Sequence, residues 1–231
     1  GNLSSRTTAA LPMSAQRPPR WNAAAGVWEG DRAASGDSEV PDPLFIFGYG
    51  SLVYKADFPA EESFPGTVQG WTRLFAQRSM DHRGTPSAPG LVVTLLSDSD
   101  CEALEIKSPT LSPSRCCGMC YRVAAADAAS VLDALDFREK GGYSRSVVEV
   151  TPLAGGSPVR ALLYTATPSN PNFYLPRDVH AVAVIISSAR GPSGSNLEYL
   201  QKLAAWLVSV GEHDAHVEGI LAVLDSHYSI N

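Results

Sequence analysis

Leu44-Phe45-Ile46-Phe47-Gly48-Tyr49-Gly50-Ser51-Leu52 is the stretch on which the reading of this chain turns. Four apolar residues in a row, halted by glycine, read as a short buried strand. A strand that runs into two glycines can bend sharply and present successive backbone N–H groups outward. Such a nest binds a carboxylate or phosphate without any cationic side chain, and glycine lets the ligand approach the backbone closely. On these residues alone a plain tight turn between strands accounts for the pattern equally well. Three catalytic patterns are excluded. No Gly-Lys-Ser follows, so this is not a phosphate-binding P-loop, and Val53 stands where the dinucleotide fingerprint and the G-x-S-x-G elbow each need a glycine.

Outward from this stretch, the chain divides into an arm and one domain. Residues 1–42 are rich in Ala, Ser, Arg and Pro and show no helical or strand period, which predicts a low-complexity, disordered or loosely packed arm. Gly1-Asn2-Leu3-Ser4-Ser5 fits an N-myristoylation pattern if a removed Met preceded it, and a single acyl chain would anchor only weakly. From residue 43 to 231 runs the expected folded domain. Residues 68–78, 91–96, 116–123, 146–150 and 159–166 read as further strands, with a hairpin signal at Gly155-Gly156 between the last two. Ala128, Val131, Leu132 and Leu135 have helical spacing and predict a helix over 126–137. Three more helices follow: one with Val179, Val182, Ala183 and Ile186 inward, one opened by Ser195 and stopped at Gly211, and one capped by Asp214. The polar stretch 98–115, with Pro109 and Pro113, reads as a surface loop insertion. Strands first and helices later argue for an α+β fold with a mainly antiparallel, barrel-like sheet.

Composition narrows the function. The net charge of -6 opposes binding to nucleic acid. No apolar run reaches the about 18 residues of a membrane span, and no apolar leader opens the sequence. Cys101, Cys116, Cys117 and Cys120 sit close together rather than spread along the chain, which points to a reducing, cytoplasmic compartment rather than a disulfide scaffold.

The second chemical signal is Leu135-Asp136-Phe137-Arg138-Glu139-Lys140-Gly141-Gly142-Tyr143. Charges crowd a helix end, where the partial negative charge of the helix raises a carboxylate's pKa and Arg138 and Lys140 oppose the rise. A solvated helix end explains the charges as well, although Phe137 and Tyr143 suggest a partly buried segment. The glycine loop followed by this segment, with Asp81-His82-Arg83-Gly84, Pro89-Gly90 and Gly191-Pro192-Ser193-Gly194 between and after them, resembles the ChaC-type γ-glutamylcyclotransferases over about residues 45–224. The likeness is absent from the arm and interrupted at 98–115.

The resemblance implies a compact mixed α/β domain around a small, mainly antiparallel β-barrel with C-terminal helices, and glutathione as the substrate. It implies Tyr49, Gly50, Ser51 and Leu52 as the γ-glutamyl-binding loop and Glu139 as the acid/base. In that reaction the substrate's own α-amine attacks its γ-carbonyl and releases 5-oxoproline, so no metal, cofactor or protein nucleophile is required. An ordinary Glu and an α-amine differ enough in pKa that proton transfer is uphill by about 5 kcal/mol, which a raised pKa at Glu139 would reduce. Arg83 and Tyr143 are further candidates for substrate contact, with structural roles open to both. Cys117-x-x-Cys120 reads as strand residues, and Asp214 near His213 and His216 as a helix cap, rather than as metal sites. The rival readings are a cyclotransferase for other γ-glutamyl amino acids or γ-glutamylamines, a non-catalytic anion-binding module, and a serine hydrolase built on Ser51.

Overall fold

The computed structural model describes residues 20–22, 27–29, 40–106, 114–138 and 143–228. Within the N-terminal arm, β1 (Arg20–Asn22) and β2 (Val27–Glu29) pair antiparallel, and the rest of residues 1–39 lies outside the described residues. The domain is organised by β3 (Phe45–Gly48), β4 (Glu62–Gln69), β7 (Arg115–Arg122), β8 (Ser144–Pro152) and β9 (Val159–Thr165). These close into a barrel in the order β3-β7-β4-β8-β9. Every pairing is antiparallel except β3 with β9, where Ile46 lies beside Leu162 and Phe47 beside Leu163.

The apolar run that opens the domain is buried on both faces, as its lack of alternation predicts. Phe45 and Phe47 enter one core with Val68, Val150 and Leu163, while Leu44 and Ile46 enter another with Tyr121, Leu162 and Tyr164. The second core is closed by α2 (Ala128–Arg138) through Val131 and Leu135. The first is closed by α3 (Val179–Ser188), α4 (Asn196–Ser209) and α5 (Ala215–Tyr228), whose Ile186, Leu200, Leu203 and Ile220 are fully buried. Each such side chain stabilises the fold by about 1.5–3 kcal/mol relative to exposure. The helix starts follow the sequence. Ser195 accepts from the Glu198 N–H, and one oxygen of Asp214 accepts from the N–H groups of His216 and Val217.

Two expectations need correction. The continuous strand over 68–78 is two strands, because Gly70 has φ +78° and turns the chain between β4 and β5 (Trp71–Ser79). β5 pairs with β6 (Gly90–Ser97) as a separate antiparallel ribbon. The stretch 98–115 is not all loop. It opens with α1 (Asp98–Ala103), started by a capping box between Ser97 and Asp100, with Cys101 buried against Leu74 and Leu96. Residues 107–113 lie outside the described residues. The remaining two short strands, β10 (Arg190–Gly191) and β11 (Gly194–Ser195), form a hairpin that leads into α4.

Candidate active site

β3 ends at Gly48, and the chain turns through a short 3-10 helix at Ser51–Val53. The turn has to be tight: a Cβ on Gly48 would stand 2.4 Å from the Cβ of Leu52. Each carbonyl of the 49–52 loop is taken by the protein. Arg73 Nε donates to the Tyr49 carbonyl at 3.1 Å, the Val53 N–H to Gly50 at 3.1 Å, the Lys55 N–H to Ser51 at 2.9 Å and the Tyr121 hydroxyl to Leu52 at 2.5 Å. A trans peptide sets its N–H opposite its C=O. The N–H of Gly50 therefore points away from Arg73, and that of Leu52 away from the Lys55 amide. Among the described residues neither N–H has a protein acceptor. Gly50 rests on Tyr199 and Val93, so that a Cβ there would lie 2.9 Å from the Tyr199 hydroxyl and 3.2 Å from Val93 Cγ2.

The Tyr49 side chain does something other than face solvent. It is buried, and its hydroxyl donates to the Tyr164 carbonyl at 2.8 Å. Tyr164 in turn donates its own hydroxyl to Asp136 Oδ1 on α2 at 2.8 Å, and Asp136 Oδ2 lies 3.7 Å from Arg145. Burial, then the Asp136 hydrogen bond and charge, push the Tyr164 hydroxyl well above its usual pKa, so it remains a donor. On the other side of the strand end, Ser144 pairs with Thr165. The helix residue Asp136 and the strand residue Ser144, which flank 139–142, thus both reach the end of β9 to which Tyr49 is bonded. Glu139 itself lies outside the described residues. Tyr143 is half-buried and packs against the second core, as does Leu52.

Arg83 sits apart from the loop. Its backbone N–H bonds Ser79 Oγ, and its guanidinium donates to the Ser195 carbonyl at 3.1 Å and to Glu198 at 3.3 Å. The same guanidinium lies 5.7 Å from the centre of the Tyr199 ring. This packing requires glycine next door, since a Cβ on Gly84 would meet the Gly90 nitrogen at 2.0 Å and one on Gly191 the His82 carbonyl at 2.3 Å. Arg83 nonetheless lines an open groove of about 670 Å³ with Tyr54, Lys55, Ser193, Lys202 and Trp206. Lys202 holds Glu198 at 2.6 Å, and Lys202 first and Arg83 second keep that carboxyl below its usual pKa. The groove adjoins the loop, because the Lys55 N–H is bonded to Ser51 and the ring of Tyr54 packs edge-on against Tyr199.

The residues set aside as metal candidates have other partners. Cys116, Cys117 and Cys120 are buried strand residues of β7. Burial pushes the thiol of Cys116 up to about 11 and those of Cys117 and Cys120 up to about 12. His216 Nε2 accepts from the Phe75 N–H at 3.0 Å, and His213 lies 2.8 Å from Glu218. The sequence reading missed Arg73, Asp136, Tyr164 and Tyr199. A charge in the apolar run of β5 was the visible sign of Arg73; Asp136 and Tyr199 lay inside segments already singled out, and Tyr164 had no local sign.

Comparison with known proteins agrees with this geometry. Residues 44–227 match the family model described as ChaC-like protein. The chain is 38% identical over 189 residues to the human glutathione-specific γ-glutamylcyclotransferase 1, covering 80% of this chain and 79% of that one. It is also 38% identical over 179 residues to the glutathione-specific γ-glutamylcyclotransferase of Schizosaccharomyces pombe, covering 75% and 88%. Among solved structures, a yeast γ-glutamyl cyclotransferase specific to glutathione superposes with a TM-score of 0.73 at 28% identity, over 79% of this chain and 96% of that one. With its barrel, its glycine loop and these relatives taken together, the chain belongs to the ChaC-like protein family.

Proposed function

We infer that this chain is a γ-glutamylcyclotransferase that cleaves glutathione into 5-oxoproline and Cys-Gly. The observation that carries the reading is the polarity of the 49–52 loop: its carbonyls are bound inward, which turns the N–H groups of Gly50 and Leu52 outward. That arrangement suits the α-carboxylate of a γ-glutamyl group. The human and Schizosaccharomyces pombe relatives, both glutathione-specific γ-glutamylcyclotransferases, point to the substrate.

With the carboxylate held, the glutamyl chain is folded so that its α-amine lies near its γ-carbonyl. Good intramolecular geometry of this kind is worth up to about 7–11 kcal/mol, part of it inherent in the substrate. The amine's lone pair forms the new C–N bond, the old amide C–N bond breaks, and the nitrogen of Cys-Gly leaves with a proton. Glu139 takes one proton from the α-ammonium and returns it to the leaving nitrogen, and the second proton, lost by the ring nitrogen as the lactam forms, charges the released amine of Cys-Gly. The nucleophile belongs to the substrate, so no metal or cofactor enters these steps. Tyr49 serves through its backbone, its hydroxyl being committed to Tyr164. Tyr143, which like Leu52 packs against the second core, bounds the glutamyl end. The groove at Arg83 receives the Cys-Gly end.

The clustered cysteines favour a reducing, cytoplasmic setting for this chemistry. Gly1, outside the described residues, is a candidate for a weak lipid anchor; an intact mass of the native protein without an acyl group would dismiss it.

Incubation of the purified protein with glutathione, γ-Glu-Ala and a γ-glutamylamine, followed by mass spectrometry, tests the reading. We expect 5-oxoproline and Cys-Gly from glutathione in preference to products from the other two. Product from γ-Glu-Ala alone would change the substrate, and no 5-oxoproline from any of them would leave an anion-binding module.

A further inference from the structure

Arg73 is the most deeply buried charge among the described residues, with its side chain 1% exposed. It is near the start of β5, and its guanidinium joins three separate parts of the fold. Nε donates to the carbonyl of Tyr49, one terminal nitrogen donates to the carbonyl of Cys117 on β7, and the other donates to Asp214 Oδ2 at 2.7 Å. Asp214 spends its second oxygen on the first turn of α5. A buried guanidinium requires acceptors all round its fork, and this one has them, including one peptide group of the substrate loop.

We propose that Arg73 is the positioning residue of the carboxylate-binding loop: by fixing the Tyr49 carbonyl it fixes the plane of the Tyr49–Gly50 peptide and aims the Gly50 N–H at the substrate. This rests on the reading of the loop as the site of the γ-glutamyl carboxylate. The peptide plane is rigid, so anchoring its oxygen sets the direction of its hydrogen. Gly50 has no side chain with which to fix its own orientation. The Tyr199 hydroxyl and Val93, which lie where its Cβ would be, block movement on that side only. The carbonyl hydrogen bond is therefore what prevents the peptide from flipping, and a flip would replace a donor by a carbonyl oxygen that repels a carboxylate. Through Asp214 the same residue ties the start of α5 to the loop, so the C-terminal helix supports the site without touching substrate.

The test compares glutathione with 4-aminobutyryl-cysteinylglycine, which keeps the attacking amine and the scissile carbonyl but has hydrogen in place of the α-carboxylate. The wild type prefers glutathione in kcat/KM. Arg73→Lys keeps a charge for Asp214 but loses the planar fork. It lowers that preference by about tenfold to a hundredfold, the worth of one hydrogen bond to a charged group, mainly through KM and with the analogue's rate little changed. Ile220→Val, a buried change on α5, lowers Tm and leaves the preference intact. Equal losses for both substrates in Arg73→Lys, or loss of preference in Ile220→Val as well, would reduce Arg73 to a stability residue. A wild type that handles the analogue as well as glutathione would instead refute the carboxylate reading of the loop. If Arg73→Lys does not fold, the ¹⁵N-labelled wild type is titrated with 5-oxoproline. The Gly50 amide and the Arg73 Nε–H signals must shift together, and a Gly50 shift with an unmoved Arg73 signal overturns the proposal.

Discussion

The 49–52 loop and the groove beside α4 adjoin each other yet present polarity in opposite ways. In the loop the donors are backbone N–H groups, and the carbonyls behind them are held by a buried guanidinium, two amides and a tyrosine hydroxyl. In the groove the donors are the side chains of Arg83, Lys202 and Lys55, with Glu198 shared between the first two. Backbone dipoles fixed by a packed core do not reorganise during a reaction, which is what a reacting centre needs. The exposed side chains of Lys55 and Lys202 can adapt, which suits the part of a substrate that varies. With the loop as the proposed reacting centre, the difference teaches that charge content alone is a poor guide to where chemistry occurs: the loop contains no charged residue at all.

The sharpest way to break this comparison is to disturb the rigid region. Gly50→Val places methyl groups against the Tyr199 hydroxyl and Val93 and pushes the peptide outward. A displacement of about 1 Å at such a site costs about a hundredfold in rate, and kcat/KM for glutathione measures it. Arg83→Ala in the groove should act more gently. It raises KM for glutathione about threefold to tenfold and leaves kcat nearly unchanged, as expected for one lost contact away from the reacting atoms. A Gly50→Val enzyme with near-normal kcat/KM, or an Arg83→Ala enzyme whose kcat collapses, would reverse the assignment of roles.

The smallest effect concerns the packing beneath the loop. His216 must be neutral at Nε2 to accept the Phe75 N–H. Burial holds its pKa below the usual histidine value, with Asp214 pulling against the shift and Arg73 adding to it. The unfolded chain therefore binds a proton more readily than the folded one. This contribution is fully present above about pH 6.5, the ordinary histidine pKa, and is lost as pH falls through the lowered folded value. Thermal unfolding followed from neutral to mildly acidic pH should show a fall in Tm that is shallower in His216→Gln. Identical slopes in the two proteins would remove His216 from the pH dependence.

Much of this was legible in the sequence, for reasons that differ by region. The run from Leu44 to Phe47 announced a strand buried on both faces, and Ser195 and Asp214 announced helix starts, because each signal is local. Barrel closure was only a tendency, since the parallel pairing of Ile46 with Leu162 joins residues far apart in the chain and leaves no local mark. The turn at Gly70 was missed because apolar residues continue on both sides of it, so the pattern reads as one strand until φ is known. At the site, the glycine loop was visible as a type. What could not be read was that the Tyr49 hydroxyl faces inward and that the loop's orientation depends on Arg73, both consequences of tertiary packing.

The most direct measurement of the central claim uses Glu139→Gln, which keeps the size of the side chain and removes its ability to carry the proton. Isothermal titration with glutathione and mass spectrometry of the products, on the same preparation, separate grip from chemistry. The loop and groove should still bind glutathione within a few fold of the wild type, since an unchanged contact surface changes affinity little, while 5-oxoproline formation disappears. Near-normal release of 5-oxoproline by Glu139→Gln would contradict the account.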